Sequence, residues 1–98
     1  MKKEEMFSAN DFCFSHSIEI SFIHSLEESG LIEVIVSGGI LCIPVRQIKH
    51  LEKLVRFHHD MDINLEGIEA ISYLLERVHE MQQEVLILNS KLSMYENE

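Results

Sequence analysis

Basic residues are scarce in this 98-residue chain: eight lysines and arginines stand against 17 aspartates and glutamates, a formal net charge of −9. A sequence-independent nucleic-acid binder is normally basic, so the field of the whole chain argues against DNA and favours a basic protein partner. Long apolar runs are missing too. None approaches the roughly 18 residues needed to span a bilayer. The stretch MKKEEMFSANDF lacks the apolar centre of a signal peptide, so a cytoplasmic location is the expectation. Cysteine is limited to Cys13 and Cys42, far apart and each inside an apolar stretch. With no CxxC pair they offer no zinc or redox site, and buried, reduced thiols are expected. There is no GxSxG, no Gly-rich phosphate loop and no nucleophile beside a plausible base. An enzyme is therefore not expected, and neither is a cofactor.

What the chain does contain is a regular order of elements. Ser8 with Asp11 three residues on fits a helix N-cap, and the first helix is predicted to run to about His16 with Phe12 and Cys13 inward. Glu19 is placed to cap a second helix, which passes through Phe22, Ile23 and Leu26 to Ser29. Gly30 then supplies a left-handed C-terminal position. The β-branched runs IEVIV (Ile32–Val36) and ILCI (Ile40–Ile43) flank Ser37-Gly38-Gly39, a hairpin signal. Pro44 is expected in the first turn of a third helix, where its missing N–H costs nothing. Ile48, Leu51, Leu54 and Val55 give that helix an apolar stripe to about His59. Asn64 caps a last helix, with Glu66 near its positive end.

That last helix carries a seam. Ile71, Leu74, Val78, Met81, Val85, Leu88, Leu92 and Tyr95 alternate by three and four without a miss, the a/d pattern of a coiled coil. Such a stripe is expected to pair with its copy in a second chain, making a homodimer. Two parts follow: residues 1–63 as one domain and residues 64–98 as a dimerisation helix.

Three constellations invite chemistry and are better explained by structure. DMDINLEG has calcium-loop acids at Asp60, Asp62 and Asn64, but Leu65 stands where the loop needs glycine and Ile71 where it needs a bidentate acid. His58 and His59 are adjacent, so on a helix they point about 100° apart and do not share an ion. No metal site is expected. Arg46, Lys49, Lys53 and Arg56 step by three, four and three along the third helix, a basic stripe with His50 beside it. It is either the solvated face of that helix or a contact for an acidic partner or phosphate backbone.

The order of elements resembles a MerR-type winged helix-turn-helix. DFCFSHSIEISFIHSLEESGLIEV is similar to that family's first two helices running into the wing, and RFHHDMDINLEGI to the entry of its last helix. Within the superfamily, DFC at Asp11–Cys13, SLEESGLIE at Ser25–Glu33, LVRFHHDMDINLEGI at Leu54–Ile68 and the trailing seam resemble the chaperone modulator family CbpM. The resemblance runs from Ser8 to Tyr95. It implies a mostly α fold with a small β-hairpin wing and a long C-terminal coiled-coil helix. It also implies binding to the J-domain of a DnaJ-like co-chaperone (CbpA), restraining its stimulation of DnaK. Where DNA-reading MerR proteins carry an Arg-Tyr-Tyr run before the helix-two glycine, this chain has His24, Ser25 and Leu26. Where their wing carries an arginine, it has Ile40, Leu41 and Cys42. Both phosphate anchors are absent. The expected J-domain contacts are Glu19, His24, Glu27, Glu28 and Glu33 for charge, with Phe7 and Phe14 as apolar anchors. The alternative, a DNA-binding MerR-type regulator, would rely on the Arg46–Arg56 stripe and the wing.

Overall fold

The computed structural model describes residues 5–96. Their order is β1 (Met6–Ser8), α1 (Ala9–His16), α2 (Ile20–Glu28), β2 (Ile35–Ser37), β3 (Ile40–Pro44), a 3₁₀ turn (Val45–Gln47), α3 (Ile48–His59) and α4 (Leu65–Glu96). The fold is mostly helical, with a small antiparallel sheet ordered β1-β3-β2 and one long C-terminal helix. No helix among the described residues is long and apolar enough to cross a membrane.

Local chemistry accounts for the helix ends. The Ser8 hydroxyl accepts from the Asp11 N–H and starts α1. α2 closes one residue earlier than expected, at Glu28. Gly30 then sits at φ 76° while its N–H and that of Leu31 return to the carbonyls of Glu27 and Leu26. This is the Schellman arrangement, and it needs a left-handed residue after the helix. The end of α1 uses the same device without glycine. Ser17 takes φ 56°, with Ile18 N–H bonded to the Cys13 carbonyl. Asn64 caps α4 through its side-chain oxygen, which accepts from the Gly67 N–H at 2.9 Å.

The wing differs from the expected hairpin in three ways. Ile32 turns into the core instead of joining a strand, and the Glu33 N–H donates to the Gln47 side-chain oxygen at 2.8 Å. The first strand therefore starts only at Ile35. Pro44 does not open a helix. It ends β3 opposite Met6, because β1, which the sequence pattern did not reveal, extends the sheet by pairing Phe7 with Ile43. The ladder continues in the bond from Val45 N–H to the Glu5 carbonyl, so α3 begins at Ile48 after a 3₁₀ turn. Cys42, expected to be buried, is only half-buried.

The core lies where α1, α2, β3 and α3 converge. Phe12, Ile23, Leu26, Ile43, Leu51 and Leu54 are each 1% exposed or less. Cys13 belongs to this cluster, and its burial pushes the thiol pKa up, away from the reactive thiolate. α4 contributes one buried residue, Ile68. Beyond Ser72 every α4 side chain is exposed. The radius of gyration is 18.1 Å, against about 13 Å for a compact chain of this length, so α4 projects from the domain.

Two substitutions follow from the caps. Ser17→Gly relieves the left-handed serine and is expected to stabilise the chain by about 1 kcal/mol in urea denaturation. Gly67→Ala has the opposite outcome, because its Cβ falls 2.6 Å from Ile63 Cγ2, a methyl attached to a β-branched carbon with little room to yield. A loss of roughly 1–3 kcal/mol is expected, despite alanine's better helix propensity.

Candidate functional site

α2 is the second helix of the helix-turn-helix, and its exposed surface is the first place to seek function. Ile23 and Leu26 face the core, as their spacing predicts, while Phe22 is half-buried. Ser21, His24 and Glu28 follow at steps of three and four and form the outward ridge, with Glu27 beside it; all four are exposed. Between Ile20 and Glu28 there is no lysine or arginine. Glu19 occupies the N-cap position without capping; its carboxylate accepts from the Ser21 hydroxyl at 3.3 Å. Glu19 therefore sits at the N-terminal end of the ridge that Glu28 closes.

A shallow groove runs along the same side. Its walls include Ser17, Ile18 and Glu19 from the α1–α2 turn, Ser21 and Ser25 from α2, and His59 from α3. The Phe22 and His58 rings stack at 4.5 Å in this groove, and His58 Nδ1 donates to the Ile63 carbonyl at 3.2 Å. No sequence pattern signals this pair, since the two residues lie on different helices and match no motif. The histidines mark a helix junction. Among the described residues no group of three or more His, Cys, Asp or Glu could hold a metal ion.

The remaining expected contacts are dispersed. Phe14 is 90% exposed at the end of α1. Phe7 is 42% exposed, on β1, with its ring edge-to-face against Phe12. Glu33, between α2 and β2, forms an ion pair with Arg46. That contact joins one residue of the acidic set to one of the basic stripe. Arg46 lies in the 3₁₀ turn, whereas Lys49, Lys53 and Arg56 share the exposed face of α3. Lys53 stands at the rim of a second groove, which includes Leu31, Phe57 and Leu75 and where α3 meets the root of α4. Beside it, His50 donates from Nε2 to the Leu31 carbonyl at 3.0 Å. Glu52, on the neighbouring side of α3, approaches His16 at 3.8 Å.

Charge is therefore divided between the two helices. α2 contributes Glu27 and Glu28 without a compensating base. α3 contributes Lys49, Lys53 and Arg56 against Glu52 alone. The seam residues of α4 lie along the projecting helix, from half-buried Ile71 to Tyr95 at 78% exposure. Among the described residues these exposed features are surfaces.

Comparison with known proteins gives a family. Residues 7–90 match the MerR HTH family of regulatory proteins, a span from β1 through most of α4. No curated protein and no solved structure gives a significant match. The helix order, the small wing and the long terminal helix agree with that match over more than half of the chain, and this protein belongs to the MerR HTH family.

Proposed function

We propose that this chain is a protein-interaction module: a homodimeric chaperone modulator of the CbpM type, acting in the cytoplasm. In this reading it binds the J-domain of a DnaJ-like co-chaperone and restrains its stimulation of DnaK. The observation that carries the proposal is the exposed ridge of α2, with His24, Glu27 and Glu28 and no lysine or arginine from Ile20 to Glu28. Phosphate contacts supply much of a DNA reader's affinity and fix its orientation. Carboxylates at this position repel the duplex backbone and attract the basic helix that J-domains present. Steering of that kind raises the association rate more than the affinity. Apolar contact must supply the rest, and Phe14, Phe7 and the Phe22–His58 groove are the candidates on the same domain.

The homodimer belongs to the same proposal. Val78, the least exposed seam residue after Ile71, is still 49% exposed in the isolated chain. A copy of the same stripe is its natural complement.

The family match also accommodates a DNA-binding regulator, and Lys49, Lys53 and Arg56 on one face of α3 are the residues that would serve it. Binding kinetics separate the two. With a purified J-domain, the complex should weaken as salt rises. Glu27→Lys with Glu28→Lys should slow association roughly tenfold while helicity by circular dichroism stays unchanged. An association rate indifferent to that reversal would remove the α2 mechanism. Firm duplex binding at cellular ionic strength, lost in Lys53→Glu, would instead establish the regulator.

A further inference from the structure

The shallow groove beside the α2 ridge has a volume of about 530 Å³, within the range of small-ligand sites. One wall is flat and aromatic. Half-buried Phe22 and exposed His58 stack with ring centroids 4.5 Å apart and planes 18° from parallel. His58 Nδ1 is committed as a donor to the Ile63 carbonyl, which leaves Nε2 of the neutral ring an acceptor. The other wall is polar. It carries the Ser21 and Ser25 hydroxyls, one turn apart on α2, and the Glu19 carboxylate at the head of that helix. With histidines counted as neutral, Glu19 is the one charged side chain lining the groove.

We infer that this groove is a guanidinium site, receiving a single arginine side chain of the cationic partner that α2 attracts. The identity of that partner rests on the reading above; the chemistry of the groove does not. A guanidinium is flat and weakly hydrated, stacks on aromatic faces and donates through a rigid fork to oxygen and nitrogen acceptors. The groove offers it the aromatic wall, the Glu19 carboxylate, two hydroxyl oxygens and the His58 ring nitrogen. An anion is disfavoured, although α2 presents its positive end here. The Glu19 carboxylate stands at that end and the Ser21 hydroxyl is spent on it at 3.3 Å. The Phe22 N–H is bonded to the Glu19 carbonyl. His58 and His59, in the last turn of α3, bring the negative end of that helix to the groove as well. A lysine ammonium, compact and strongly hydrated, gains less from a flat wall. Ser21 belongs to both groove and ridge, and Glu28 lies about 10 Å further along the helix. A partner drawn to Glu27 and Glu28 can therefore seat one long side chain here. The ridge then governs how fast the partner arrives, and the groove how long it stays.

Two measurements on the full chain test this. In NMR spectra of the isotope-labelled protein at constant ionic strength, acetyl-arginine amide should shift the Ser21 and Ser25 amide and His58 ring signals. The shifts should saturate in roughly the millimolar range. The uncharged citrulline counterpart should leave them in place, and Glu19→Gln should abolish the response with unchanged helicity. The guanidinium site is overturned by the absence of a saturable shift, by an equal response to the lysine counterpart, or by inorganic phosphate moving the same signals. With a purified J-domain, Glu19→Gln should raise the dissociation rate roughly tenfold and change the association rate by less than about threefold. An unchanged dissociation rate overturns the inference and leaves the α2 ridge standing. A J-domain that fails to bind, while the arginine amide still saturates, removes the chaperone reading and upholds the groove.

Discussion

Ile68, the one fully buried side chain of α4, anchors that helix to the core together with half-buried Leu65 and Ile71 and the hydrogen bond from the Ser29 hydroxyl to Glu69, and the remainder of the helix depends on this root. The 32 residues of α4 span roughly 48 Å at 1.5 Å per residue. Only the first turns lie against α3 and the core. Leu75 still lines the groove against α3, and beyond Glu76 the helix is a lever whose apolar side chains have no intramolecular surface to cover them. An isolated helix of this kind draws little stability from propensity alone, since most helical stability in proteins comes from packing of the apolar face. The geometry of the root therefore decides where the seam is presented. Gly67, whose missing side chain leaves room for Ile63, and Asn64, whose oxygen caps the helix, set the angle at which it leaves.

The same economy governs the winged domain. Its core is small, and the elements around it are fixed by hydrogen-bonded ends more than by bulk. The Schellman closure after α2 turns Leu31 and Ile32 back to the core, and the Glu33 N–H completes the turn on Gln47. The ridge of Ser21, His24 and Glu28 is consequently displayed on a rigid helix while the wing departs in another direction. This is the framework that the MerR HTH family uses for regulatory proteins. On that framework charge is unevenly placed. A surface without cations on α2, an uncharged wing from Val34 to Val45 and an ion-paired Arg46 leave basic character chiefly on α3.

Much of this was legible in the residues. Ser8, Gly30 and Asn64 act locally, through bonds to N–H or carbonyl groups within a few positions, so cap chemistry placed the ends of three helices to within a residue. The three-four alternation from Ile71 onward is equally local, and α4 follows it. The strand β1 escaped because three residues carry too little pattern, and their pairing with β3 joins positions nearly 40 apart in the chain. That pairing in turn moved Pro44 from a helix start to a strand end. The Phe22–His58 stack and the Glu33–Arg46 pair were illegible for the same reason. They are contacts between elements, and no spacing along one element encodes them.

The sequence by itself determined the helical frame, the acidic balance, the seam of α4 and the lack of catalytic or metal-binding pattern, because each depends on short-range periodicity or on composition. Only the tertiary structure decided which side chains share a surface. It brought Phe22 to His58, joined Glu33 to Arg46, drew Ile32 into the core and left α4 beyond Glu76 with nothing to lean on. Those outcomes depend on how the elements pack in three dimensions, where residues distant along the chain compete for the same small core.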